Sequence, residues 1–163
     1  MPLRSSTMPS IMLCLTLAVS AGAASAQDGE MKRVVNPPSL PDATQFGYSQ
    51  ATVAAPEASI VHIAGQVGYD PNAADNGFEA QADRAFANLL TALEASGATP
   101  EDVVKITLLI VDHDEPKLAL MGQKRKAMFG DAPPASTLVP VSRLYAPGVL
   151  FEIDAVAAVR PSR

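Results

Sequence analysis

D-A-P-P-A-S-T-L-V-P-V-S-R-L-Y-A-P-G-V-L-F-E-I-D-A-V-A, residues Asp131–Ala157, decides how the rest of this chain is read. A Pro-rich entry, a short apolar run, a Pro-Gly turn and a second apolar run predict strand, loop and strand. The second run alternates: Val149, Phe151, Ile153, Ala155 and Ala157 make one apolar face, and Leu150, Glu152, Asp154 and Val156 the other. Strand side chains repeat with period two, which puts Glu152 and Asp154 on one face, roughly 7 Å apart. A carboxylate flanked by Leu150 and Val156 marks the place for a polar site on an otherwise apolar strand.

Working outward, Glu79–Ser96 carries a helical stripe of Ala82, Ala85, Phe86, Leu89, Leu90 and Leu93, with Gly97 as its stop. Thr99-Pro100-Glu101-Asp102 reads as a capped single turn. Val103–Val111 is β-branched and apolar on both sides, as a central strand is. Lys117–Phe129 forms a second helix, with Leu118, Met121, Arg125 and Met128 near one side and Gly130 at its end. Upstream, Phe46–Ala54 and Ser59–Val67 predict two strands joined as a hairpin, and Gly65 inside the second marks a bulge or a close backbone approach. Gln27–Thr44 is polar, then Pro-rich, and reads as a flexible lead-in to a domain over 45–159. The order β-β-α-β-α-β-β, with hairpins at both ends, predicts an α+β fold: a mixed sheet with two helices on one face. The sheet face left without helices is an expected oligomer interface.

Residues Met1–Ala26 form a secretory signal peptide: basic Arg4, an apolar run over Ile11–Ala21 too short to span a bilayer, and the cleavage signal Ala24-Ser25-Ala26. Removal leaves 137 residues, enough for one core. It takes one arginine and no acid, so a net charge of −5 becomes −6. Cys14 leaves with it, which excludes disulfides and thiol chemistry from the mature chain. The expected location is the periplasm or the exterior, with no membrane attachment after cleavage.

Several segments together resemble the RidA/YjgF family: G-Y-S-Q-A (Gly47–Ala51), A-G-Q-V-G-Y-D-P (Ala64–Pro71), A-F-A-N-L-L-T-A-L-E-A-S-G-A (Ala85–Ala98), E-D-V-V-K-I-T (Glu101–Thr107) and F-E-I-D-A-V-A (Phe151–Ala157). The resemblance implies a chorismate-mutase-like, YjgF-like protomer that forms a homotrimer with clefts at subunit interfaces. It implies hydrolysis of reactive enamines and imines, 2-imino acids above all, without a metal or organic cofactor. By this match Tyr48 is a cleft tyrosine, Ala64-Gly65 stands where a serine-glycine pair contacts the ligand, and Glu152 is the acid associated with the attacking water.

The chain also departs from the family pattern. Deaminating members carry P-A-R-S, whose arginine grips the substrate carboxylate; here Pro133-Pro134-Ala135-Ser136 puts Ala135 in that slot, or Ser136 if the register slips by one. Neither side chain replaces a bidentate fork. An asparagine common in the second helix falls near Gly122, and the serine before Gly65 is Ala64. These departures count against 2-imino acid deamination and leave two readings: a hydrolase for small imines or enamines, or a trimer that binds a small imine or carbonyl ligand without turnover. Ser136, Thr137 and Arg143 complete the candidate binding residues. No serine-nucleophile arrangement accompanies them. His62 reads as a surface or interface residue and Asp112-His113-Asp114 as a solvated loop rather than a metal site. Lys124-Arg125-Lys126 reads as the wet face of a helix, with Arg125 or Arg143 as a salt-bridge partner for Glu152. An acidic chain with no basic groove or stacking platform excludes nucleic acid as a partner.

Overall fold

A computed structural model describes residues 30–161. The expected signal peptide, with its cleavage site and Cys14, lies outside the described residues. The elements are β1 (Lys32–Val35), β2 (Ala51–Ala54), β3 (Ser59–Val67), α1 (Phe78–Ala95), β4 (Val103–Val111), α2 (Glu115–Phe129), β5 (Ala135–Val141) and β6 (Phe151–Val159). Single 3-10 turns precede β2, at Thr44–Phe46, and β4, at Pro100–Asp102. The main sheet runs β3-β6-β4-β5, with β6 antiparallel to both neighbours and β5 parallel to β4. This is the mixed α+β sheet expected.

The alternation works as read from Phe151 onward, but Val149, expected on the same face, lies in the loop before β6 and packs with Val111 and Leu144 on the other side. Phe151, Ile153, Ala155 and Ala157 are buried against both helices, together with Ile106, Leu108 and Ile110 of β4. Phe151 stacks on Phe86 at 5.9 Å between ring centroids and meets Phe78 edge-on at 5.8 Å. From α1, Ala82, Ala85, Phe86, Leu89 and Leu93 enter this core; Leu90 is exposed at the margin of the stripe. Burying side chains of this size contributes about 1.5–3 kcal/mol each. The single turn before β4 is capped as predicted, the Asp102 carboxylate accepting from the Thr99 N–H and hydroxyl.

Three expectations about pairing need correction. Neither predicted hairpin forms: β2 pairs with β1, and β3 with β6, while β5 pairs with β4 and never meets β6. Connection length misled here, because β6 buries its apolar face best in the sheet centre, between β3 and β4. The lead-in is not irregular throughout, since Lys32–Val35 is strand, Met31 is buried, and Lys32 Nζ donates to Val103 O and Ala132 O. Finally, strict alternation puts Val104 on one side with Ile106, Leu108 and Ile110, but a bulge sets two residues of β4, Val103 and Val104, against Ala157 before Lys105 meets Val156. Val103 therefore enters the helix-side core, and Val104 turns to the other face, against Met31 and Ala158. Pro140 lies on edge strand β5, where its missing N–H costs no ladder bond.

The face without helices is covered only at its ends. Met31 and the β1–β2 ribbon cover one end, and Leu144 and Val149 from the β5–β6 loop the other. Between them Lys105, Thr107 and Leu109 of β4 alternate with the core residues and remain half exposed. Among the described residues no helix is long and apolar enough to cross a membrane.

Candidate functional site

The predicted site residues fall on two surfaces of the protomer. The first is the open sheet face. Glu152 stands there, half-buried, between Leu109 of β4 and Val67 of β3. The ladder between β3 and β6 slips at Ile63–Gln66, so Ala64 and Gly65 form the bulge anticipated at Gly65. That bulge carries Gly65 against Glu152: a Cβ added there would overlap Oε1 and lie 2.6 Å from the carboxyl carbon. Glycine at this position gives the carboxylate its place. Thr137 shares the open face and accepts a bond from Lys105 Nζ. Burial lowers the Lys105 pKa, opposed by the negative charge of Asp154.

The second surface is a groove on the helix side, bounded by the Thr44–Phe46 turn, α2 and the head of β5. It encloses about 660 Å³ and is lined by Phe46, Tyr48, Leu118, Gly122, Arg125 and Ser136, among others. The turn is drawn close by Gly47, whose φ of +73° and 2.9 Å approach of a would-be Cβ to Lys126 N exclude a larger residue. Ser49 then bridges to Ala135, donating its N–H to Pro134 O and its hydroxyl to Pro133 O. These bonds fix Tyr48 beside α2.

Arg125 is the residue the sequence reading misplaced. It is only 3 % exposed, and Lys124, paired with Asp83, is largely covered as well, so of the three only Lys126 lies on a wet face. Its Nε and Nη2 donate to Phe46 O at 3.2 and 2.9 Å, and its guanidinium lies 5.6 Å from the centroid of the Tyr48 ring. Burial pulls its pKa below the ordinary guanidinium value. The signal was present: Met121, Arg125 and Phe129 are spaced i, i+4, i+8, and all three are buried. Arg125 does not partner Glu152, which is on the other side of the sheet.

Ser136 and Thr137 are separated by the strand's own alternation. Ser136 pairs with Ile106, a core residue, and so points into the helix-side groove, where its hydroxyl is buried with no partner among the described residues. Thr137 pairs with Thr107 on the open face. Arg143 is exposed in the loop after β5 and does not line the groove. Asp114 caps α2 by accepting from Lys117 N at 2.8 Å, which accounts for the acid after His113. Among the described residues no cluster of His, Cys, Asp or Glu is placed to hold a metal ion.

Comparison with known proteins agrees with this fold. Residues 40–159 match the family model described as Endoribonuclease L-PSP. A RutC family protein of Pyrococcus abyssi is 34% identical over 113 residues, covering 68% of this chain and 84% of that protein. A mouse 2-iminobutanoate/2-iminopropanoate deaminase is 32% identical over 104 residues, 62% of this chain and 75% of that one. Among solved structures, a Rid family protein of unknown function from Yersinia pestis superposes with a TM-score of 0.74 at 33% identity. That match covers 80% of this chain and all of that one.

Proposed function

This chain belongs to the Endoribonuclease L-PSP family, the RidA/YjgF family, and from that premise we propose that it is an exported homotrimer that hydrolyses small reactive imines or enamines in a cleft between subunits. The observation that carries the proposal is the division of the candidate residues. Tyr48 and Ser136 line the helix-side groove, while Glu152, Gly65 and Thr137 occupy the open face of the same sheet. One copy cannot bring both sets to one ligand. A second copy, seated with its groove against the open face of the first, does so, and three copies arranged head to tail close the ring.

In such a cleft the Glu152 carboxylate accepts a proton from water as the oxygen attacks the C=N carbon. The nitrogen takes up that proton to give a carbinolamine; a second transfer through Glu152, from the carbinolamine hydroxyl to its nitrogen, lets ammonia leave and a C=O group replace C=N. Gly65 leaves room for the carboxylate, and the Tyr48 hydroxyl orients the substrate. The test is ammonia release from imines generated in situ by an amino-acid oxidase. The wild-type protein is expected to exceed the buffer rate, and Glu152→Gln to fall back to it. A wild-type rate equal to buffer removes the hydrolase reading.

Ala135 at the head of β5 favours a second reading, in which the trimer binds a small imine or carbonyl compound without turnover, since no cation stands at that position. Ligand-induced stabilisation without ammonia release supports it, and gain of 2-imino acid deamination by Ala135→Arg identifies the missing fork as the cause. Export is tested by the N-terminus of the secreted protein, expected at Gln27.

A further inference from the structure

The helix-side groove contains a buried cation without a counter-charge. Arg125 spends Nε and Nη2 on one carbonyl oxygen, and Nη1 has no protein acceptor among the described residues. No carboxylate among the described residues pairs with it; its company is the Tyr48 ring and the Phe46 carbonyl. A desolvated guanidinium in this state gains from any anion that reaches it, and its planar N–H fork suits a carboxylate. The Ser136 hydroxyl lines the same groove, buried and unpartnered. The other charges on the groove are Lys126, beside Arg125, and Glu115, ten residues earlier on α2 and so about 15 Å away. The cations thus lie toward the C-terminal end of α2 and the lone acid at its start. Phe46 and Leu118, 53% and 45% exposed, give the groove an apolar wall.

We propose that this groove is a binding site for a small carboxylic acid, with Arg125 holding the carboxylate, the Ser136 hydroxyl donating a second bond, and the acid's carbon chain lying on Phe46 and Leu118. The proposal deepens the hydrolase reading, because it gives the acid group of an imino-acid substrate or 2-oxo-acid product a guanidinium from α2, where the head of β5 supplies only a hydroxyl.

Calorimetric titration of the purified protein with 2-oxobutanoate, and with 2-butanone as the neutral control, tests it. The acid is expected to bind at least about tenfold more tightly than the ketone. Arg125→Gln abolishes that preference. Ser136→Ala, which removes a hydroxyl with no protein partner and should leave the melting temperature unchanged, weakens acid binding by about three- to tenfold. Equal binding of acid and ketone by the wild-type protein overturns the proposal, as does wild-type acid affinity in folded Arg125→Gln or in Ser136→Ala. The hydrolase reading fails separately: Glu152→Gln is expected to bind 2-oxobutanoate normally while releasing no ammonia. Acid binding with no imine turned over by the wild-type protein defeats the hydrolase reading and leaves the carboxylate site standing. Turnover with unchanged KM in Arg125→Gln does the reverse.

Discussion

At Gly65 a single missing methyl decides where a carboxylate can stand. A Cβ there would collide with the end of the Glu152 side chain, which is free to swing away, rather than with backbone. Gly65→Ala is therefore expected to cost little stability, within about 1 kcal/mol, yet to displace Glu152 and lower kcat/KM for imine hydrolysis by about tenfold or more. Thermal unfolding and ammonia release measured on one preparation check both halves. Phe151 poses the opposite case. It is fully buried between Phe86 and Phe78, so Phe151→Ala is expected to cost about 3–5 kcal/mol, read from denaturant unfolding. Phe151 was legible as core from alternation alone, and Gly65 as a bulge from a glycine inside a strand. That the bulge meets Glu152 depends on β3 pairing with β6, which nothing near Gly65 specifies.

Among the elements, the helices and β4 were readable because each carries its own period, 3.6 or 2, and needs no partner to reveal it. β1 was not readable. Lys32–Val35 is a four-residue strand whose apolar content is unremarkable and whose stability comes from β2 and from Lys32 reaching Val103 O and Ala132 O. Lys32→Met is expected to lose about 1–2 kcal/mol at neutral pH through those bonds. Burial lowers the Lys32 pKa against the opposing pull of Asp102, Glu101 and Glu30. The unfolded chain therefore holds the proton at pH values where the folded chain has released it, and this residue's contribution to stability rises with pH between the folded and unfolded pKa values. Unfolding curves across the alkaline range should show that rise in the wild-type protein and less of it in Lys32→Met.

For the whole molecule, the open sheet face is the feature that asks for a second copy. Its centre is polar and half exposed around Thr107, while its ends are closed by the β1–β2 ribbon and the β5–β6 loop. Thr107→Arg places a long cation at that centre, outside both candidate residue sets. Sedimentation is expected to show a folded single copy at one third of the wild-type mass, with ammonia release reduced to the buffer rate. A Thr107→Arg protein that sediments as the wild-type does would remove the open face from the interface.

The chain by itself determined which residues are apolar in which period, and hence the two helices, the central strand, the buried face of β6 and the family. Those properties are local, since a side chain's direction follows from its own backbone. Tertiary structure alone decided strand partnership, the outward turn of Val104, the burial of Arg125 and the division of Tyr48 from Glu152 across the sheet. Each of these depends on which distant segment comes alongside, a choice made by the total area buried rather than by any one stretch.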